Sequence, residues 1–348
     1  MSTHHPYVPH SPSTRAPARV AVIVPAYGVA HLLGEALESL KAQTMTNWEC
    51  IVVDDGAPDD VAGAVAPFLV DPRITFLRTD NRGVSTARNR AIAETHAPFI
   101  TLLDGDDILR PEYLAHTCAA LEADPPARLV TVNARIFGAV PHERLCFSGL
   151  QGSGDGIRGS LNDVLDRSFG VYIGSTFRRA DFDAVGGFDP SMTHAEDFDL
   201  WVRLMLLGGH ALYIDKVLAD YRVRGQSASA SEMKMLKGNI QTFEKALGQL
   251  DDDAPEADTA RFMMEENRRH LRFTLAADRI IDGETSALAE LKASAGPELG
   301  KVWRFYFALW NAVPSLAPPM LALRRRRNAR GAGAPEVEAS IPRQALST

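Results

Sequence analysis

The sequence predicts an α/β fold, a mostly parallel β-sheet flanked by helices, with a helical C-terminal extension. Three observations carry this reading. From Arg19 onward, short apolar runs rich in β-branched residues alternate with segments of helical period, the rhythm of βαβ units. Uninterrupted runs such as Ile51-Val52-Val53 mark strands covered on both faces, as in parallel sheets. From Ser231 the strand pattern stops and helical periodicity takes over, with an acidic break at Asp251-Asp252-Asp253.

The first strand is read at Val20 to Val24, followed by a helix with Leu32, Leu33, Ala36, Leu37 and Leu40 on one face. Further strands are read at Glu49 to Val53, Ile74 to Arg78, Phe99 to Leu103 and Leu129 to Val132, with helices near 60–69, 84–95 and 111–123. Right-handed crossovers follow from parallel pairing. The stretch Pro141 to Gly159, rich in Gly, Ser and charge, reads as a loop that divides two binding halves. A strand near Val171 to Phe177, a helix from about Asp197 to Leu207 and a strand pair at Ala211 to Ile214 and Val217 to Arg222 complete the pattern. This organises the chain as a leader (1–18), a main domain (19–230), a helical extension (231–330) and a tail (331–348).

The chain has 348 residues, 45% hydrophobic and 23% charged, enough to bury a full-sized core. Cys50, Cys118 and Cys146 lie far apart without a CxxC pair, which suggests neither a disulfide framework nor a zinc site and fits a reducing cytoplasm. A net charge of -7 argues against a nucleic-acid partner, whose phosphates call for excess Lys and Arg. The leader lacks the apolar core of a signal peptide, and its histidines His4, His5 and His10 read as incidental.

Ligands of open α/β sheets gather at the carboxyl ends of strands. Here three groups of carboxylates stand at such places: Asp54-Asp55, Asp104-Gly105-Asp106-Asp107, and Glu196-Asp197-Asp199 opening a helix. Clustered carboxylates repel, and a divalent cation bound by hard oxygens is the usual resolution. Any one of these acids read alone could simply cap the helix after it. Gly105 is read as a sharp turn between two ligating positions. Between Lys41 and Lys216 there is no other lysine, which excludes a phosphoacceptor receiver domain and leaves arginine to meet phosphate. Arg82 and Arg88, in Asn81-Arg82-Gly83-Val84-Ser85-Thr86-Ala87-Arg88-Asn89, are the candidates, and Gly83 precedes a helix whose amides can face an anion.

These residues resemble the family-two inverting glycosyltransferases of the Rossmann-like GT-A fold, over roughly Val20 to Ser229, with the bacterial cell-surface polysaccharide enzymes as the type. Five motifs stand in the family's order: Val22-Ile23-Val24-Pro25-Ala26-Tyr27, Val52-Val53-Asp54-Asp55-Gly56, Asn81 to Asn89, the DXD-like Leu102-Leu103-Asp104-Gly105-Asp106-Asp107, and Gly186-Gly187-Phe188-Asp189 with Ala195-Glu196-Asp197-Phe198-Asp199-Leu200-Trp201. The resemblance implies transfer of a sugar from a nucleotide diphosphate sugar to an acceptor hydroxyl on a glycan or lipid-linked acceptor, with inversion and a divalent metal, Mn2+ or Mg2+. It implies that Pro25, Ala26 and Tyr27 form the nucleotide turn, with Tyr27 stacking on the base, and that Asp55 or Asp54 accepts from the base N–H. Arg82, Gly83 and Arg88 approach the diphosphate, Asp104 holds the ribose, Asp106 coordinates the metal, and Gly105 lies between them. Asp197 is the implied catalytic base with Glu196 as neighbour or substitute, and Tyr221-Arg222-Val223-Arg224, with Ser227 and Ser229, lies near the leaving phosphates. Gly28 departs from the Asn common after the Pro-Ala-Tyr turn.

A nucleotidyltransferase and a non-catalytic sugar-nucleotide-binding protein are the competing readings; the late Glu196-Asp197 helix with Trp201 favours an acceptor-sugar site. Trp201, Leu204 and Leu207 read as helix core. At the C-terminus Trp303, Phe305, Tyr306, Phe307, Leu309 and Trp310 precede Pro314, Pro318, Pro319 and the run Arg324 to Arg327. Prolines exclude a continuous spanning helix. Two readings stay open for 303–330: a peripheral contact with the inner face of the plasma membrane, or aromatics packed on the catalytic domain with a solvated arginine tail.

Overall fold

The computed structural model describes residues 17–224, 232–296 and 300–331. Ser227, Ser229, most of the leader and all but the first residue of the tail therefore lie outside the described residues. The strands are β1 (Val20–Ala26), β2 (Trp48–Asp54), β3 (Ile74–Arg78), β4 (Phe99–Leu102), β5 (Ile108–Leu109), β6 (Ala127–Gly138), β7 (Arg144–Leu145), β8 (Ile157–Gly159), β9 (Thr176–Arg178) and β10 (His210–Val223). The helices are α1 (Ala30–Lys41), α2 (Val61–Val65), α3 (Val84–Ala93), α4 (Tyr113–Ala123), α5 (Leu161–Leu165), α6 (Arg179–Ala184), α7 (Glu196–Leu206), α8 (Glu232–Leu247), α9 (Pro255–Ile281), α10 (Leu288–Ala293), α11 (Lys301–Ala312) and α12 (Ala317–Gly331).

One sheet runs β3-β2-β1-β4-β9-β6-β10-β5, with β7 added to β6 and β8 to β10. Its first four strands are parallel, as are β6 and β10. Between these blocks β9 runs antiparallel to both β4 and β6. The expected mostly parallel α/β architecture is present, and β9 together with the short strands β5, β7 and β8, all paired antiparallel, makes the sheet mixed. β1 is buried almost throughout, which explains its unbroken apolar sequence.

Several elements differ from the sequence reading. The expected strand pair at 211–222 is one strand, β10, whose pairing with β6 shifts register between Ile214 and Val217 and again between Val217 and Ala219. Asp215 leaves the ladder there, its amide donating to Asp155 Oδ1 and its Oδ2 accepting from the Gly154 amide. A polar bulge thus imitates a turn in the sequence. The expected strand at 171–177 shrinks to Thr176–Arg178; Tyr172 is drawn away, its amide donating to Thr131 Oγ1 and its hydroxyl to Asp107 Oδ2. The helix near 60–69 ends at Val65 and tightens into a 3₁₀ turn containing Pro67. The 141–159 loop contributes β7 and β8. In α7, Trp201 and Leu204 are buried as expected, but Leu207 lies past the helix end and is exposed.

The extension is bolted to the sheet domain through α8. Lys245 bonds Asp189 Oδ2 at 2.7 Å and also pairs with Asp199 of α7. Gly238 lets α8 lie against the backbone before α7, since a Cβ there would stand 2.3 Å from the His194 carbonyl oxygen. Beyond it α9 to α12 enclose a separate small core around Ala276, Ile280, Phe307, Trp310 and Leu321. Trp303 packs edge-on against Phe273 and carries the Arg324 guanidinium on its face at 4.5 Å, while Arg325 pairs with Asp278. The side chains of Arg326 and Arg327 lie outside the described set. No helix among the described residues is long and apolar enough to cross a membrane.

Candidate active site

The first motif turns at the end of β1. Tyr27 is 52% exposed, so its ring is open to stacking, while Ala26 is buried and Pro25 half-buried. Gly28 has φ +68°, a conformation that Gly and Asn tolerate best, so the departure from Asn keeps the turn. Asp59, which the sequence reading did not single out, holds this turn from 31 residues away: its carboxylate accepts from the Gly28 amide at 3.0 Å and the Ala30 amide at 2.7 Å. Nothing in local sequence signals a cap supplied across such a separation.

The two acids after β2 have separate duties. Asp54 is fully buried, accepts from the Ala57 amide and pairs with Arg78 at 3.0 Å; burial pushes its pKa up. Asp55 accepts from the amides of Arg82 and Gly83, at 3.0 and 2.9 Å, so the third motif is folded over the second. The anion that the Gly83 amide faces is thus a side chain of the protein itself. Gly56 permits this wrap, because a Cβ there would lie 2.7 Å from the Asn81 nitrogen. Arg82 is exposed at the rim.

The helix α3 then joins the motifs. Asn89 clamps Phe188, donating to its carbonyl at 2.7 Å and accepting from its amide at 2.8 Å. Arg88 is 2% exposed and donates to Asp104 Oδ1 and Glu196 Oε1, each at 2.7 Å. Burial opposes its charge, but the pull of Asp104 and Glu196 outweighs it and holds the pKa above the ordinary arginine value. The sequence reading turned Arg88 toward phosphate; the structure commits it to two carboxylates, so its charge reaches the cleft through them.

After β4, Asp104 is partly exposed and Asp106 lies deeper. The Asp106 pKa is raised, by burial first and by Asp104 second, and Arg224 donates to its Oδ2. Asp107 is structural: it accepts from the Arg222 amide and the Tyr172 hydroxyl, and burial with the neighbouring acids raises its pKa strongly. Arg222 donates to the Asp106 carbonyl at 2.8 Å and to Glu35 at 2.7 Å. Gly105 makes the sharp turn read for it, closed by the Asp107 amide donating to the Asp104 carbonyl at 2.9 Å, without entering the left-handed region. It also supplies room, since a Cβ would meet Val29 Cγ2 at 3.0 Å and the Pro25 carbonyl oxygen at 3.2 Å.

Among the described residues no three His, Cys, Asp or Glu side chains form a metal cage. The donor set that is present, Asp106 with Asp104 beside it, fits a hard cation held by one or two carboxylates and otherwise by substrate oxygens and water. The raised Asp106 pKa marks a carboxylate that a cation would relieve.

On the facing side, Ala195 has φ +57°, an uncommon value for a residue with a Cβ, immediately before Glu196 and Asp197. Asp197 Oδ1 accepts from the Phe198 amide, and burial, then Glu196, raises its pKa to about 6. Five motifs lying between Val22 and Trp201 thus converge on one cleft, the last four linked by Asp55, Arg88 and Asn89.

Comparison with known proteins gives this cleft a family. The family model "Glycosyl transferase family 2" matches residues 21–186, which contain four of the five motifs in full. Residues 21–186 are a glycosyl transferase family 2 domain. It is 28% identical over 331 residues to "Succinoglycan biosynthesis protein ExoU" of Rhizobium meliloti (strain 1021), covering 90% of each chain. It spans only 23%, 30% and 31% of three other, longer relatives. Solved structures share the fold: S. aureus TarS 1-349 in complex with UDP-GlcNAc has a TM-score of 0.61 at 17% identity, over 90% of this chain and 89% of that one. Mannosyltransferase PcManGT from Pyrobaculum calidifontis, in complex with GDP-Man and Mn2+, has a TM-score of 0.54 at 20% identity, over 92% and 90%. This glycosyltransferase transfers a sugar from a nucleotide-sugar donor.

Proposed function

We propose that the transfer proceeds with inversion by a single displacement, with Asp197 as the base that takes the proton of an acceptor hydroxyl. The observation that carries this reading is the Arg88 bridge, which sets the donor-side Asp104 and the acceptor-side Glu196 on one buried guanidinium, 2.7 Å from each. A base beside that junction faces the donor across the cleft, as in-line attack requires. Tyr27 stacks on the nucleotide base, Asp54 or Asp55 fixes the base edge, and Asp104 holds the ribose. Asp106 would hold a divalent cation, Mn2+ or Mg2+, which would supply positive charge against the leaving diphosphate. Arg222, and Arg224 once it yields Asp106, add positive charge on the same side, and Arg82 does so from the rim. A nucleotidyltransferase would not need a carboxylate tuned to about 6 on the acceptor side.

The test is a panel of UDP- and GDP-sugars scored for hydrolysis and transfer with and without metal. Asp106→Ala should abolish metal-dependent turnover while the melting temperature holds or rises, because the substitution removes a buried, charge-crowded carboxylate. Full activity of chelator-treated wild type would sink the metal assignment.

For the acceptor, the similarity to ExoU, a succinoglycan biosynthesis protein, supports a glycan or lipid-linked chain. A membrane contact is favoured by one observation, the exposed apolar set Val302, Phe305, Val313, Leu316 and Leu323 on α11, α12 and the turn between them. It is narrower than the sequence reading, since Trp303, Phe307 and Trp310 serve the small core and Arg324 and Arg325 are engaged. Such a contact would set the enzyme at the cytoplasmic face of the plasma membrane. Wild type should sediment with anionic liposomes, and Phe305→Ser with Leu323→Ser should abolish it; equal sedimentation of the double variant refutes the contact.

A further inference from the structure

Beside Asp197 lies a cavity of about 190 Å³ whose walls include Arg167, Tyr172, Phe198, Trp201 and Met235. Two features of these walls have no explanation in the fold. Arg167 follows α5 directly, and its left-handed φ of +63° ends that helix. Its guanidinium lies over the Phe198 ring at 4.3 Å and donates to Asn239 Oδ1 at 2.7 Å, and among the described residues no carboxylate is within ion-pair distance. The buried arginines elsewhere are different, for Arg88 has Asp104 and Glu196, and Arg203 has Asp199. Finally, Trp201 is 2% exposed and among the described residues its Nε1 has no hydrogen-bond partner.

Arg167 is half-buried; its hydrogen-bond partner is a neutral amide and the Asp197 carboxylate reaches it only through space, which leaves its charge under-compensated unless an anion arrives. The amide is deliberately aimed: Asn239 Nδ2 donates to Asn267 Oδ1 and Asn267 Nδ2 to the Met263 carbonyl, which turns Asn239 Oδ1 toward Arg167. The extension thereby fixes a residue of the active-site wall. We propose that this cavity is an acceptor subsite for a sugar unit carrying a carboxylate or phosphate, with Arg167 as counter-charge. The inference rests on the reading of Asp197 as the base. The remaining walls are mostly apolar and suit the C–H face of a ring. The volume is below the roughly 300 Å³ at which small-molecule pockets begin, so it takes one unit or its substituent rather than a chain.

The experiment titrates the full chain, by calorimetry, with methyl glucoside, methyl glucuronoside and glucose 6-phosphate. At least one anionic sugar should bind about tenfold tighter than the neutral one, the two anionic arms telling carboxylate from phosphate. Arg167→Met should erase the preference and Arg167→Lys should keep part of it. Asn239→Leu, which leaves Arg167 in place but frees it, should weaken the preference and serves if Arg167→Met does not fold. UDP and GDP titrations of the same samples separate the two levels of argument. Failure of wild type to bind either nucleotide counts against the donor site. Intact nucleotide binding with no sugar bound, with all three sugars bound equally, or with a preference that survives Arg167→Met overturns the subsite.

Discussion

Asp197→Asn should lower sugar transfer at least about a hundredfold while nucleotide-sugar affinity stays near that of the wild type, because the substitution removes the proton acceptor and little else. The Phe198 amide keeps an oxygen to donate to, so the first turn of α7 survives. Stopped-flow or steady-state transfer assays, paired with donor titration, read the two quantities separately. The wild-type pH profile follows from the raised pKa. Below about 6 Asp197 is protonated and cannot act as a base, so kcat/KM should fall about tenfold per pH unit on the acid side and level off above it. Glu196→Gln removes a neighbouring negative charge that helps raise this pKa, so its acid limb should move to lower pH while activity persists. If Glu196→Gln is the crippling change and Asp197→Asn is mild, the base is Glu196.

The contrast between what sequence could and could not reveal is physical. Strands β1 to β4 were legible because parallel strands, covered on both faces, demand continuous apolar runs, and carboxylates at their ends stand out against that background. Order along the chain was enough to group the motifs. The partners of those motifs were not legible, because pairing across 108 residues, as in Arg88 with Glu196, leaves no periodic trace. The same holds for Asp59 at the nucleotide turn and for Asn239 on α8 reaching Arg167. Gly105 shows a subtler limit. A glycine in sequence announces either a positive φ or a close approach, and only the packing of Val29 and Pro25 against it decides between them. The bulge of β10 was read as a turn for a related reason: a polar pair, Asp215-Lys216, interrupts an apolar run equally well when the chain reverses and when one residue steps out of the ladder.

Arg88→Met should be the most damaging single change to stability in the cleft. The methionine keeps much of the buried stem's volume but leaves Asp104 and Glu196 facing one another without the guanidinium that each meets at 2.7 Å. Stripping one partner from a buried ionic network costs about 3–5 kcal/mol. Both carboxylates retain some contact with water, 31% and 15% exposed, so the lower end, about 3 kcal/mol, is the expected loss. For a domain of this size that corresponds to roughly 6–12 °C in Tm. Arg88→Lys should recover only a fraction, since an ammonium cannot fork between two acids held in fixed positions. The decisive comparison is the double variant Arg88→Met with Glu196→Gln. Removing one of the stranded charges should make it more stable than Arg88→Met alone, a coupling of about 1 kcal/mol or more readable from urea midpoints. A double variant less stable than the single one would show that Arg88 holds the cleft through its stem and not through its charge, and the bridge between donor and acceptor halves would lose its basis.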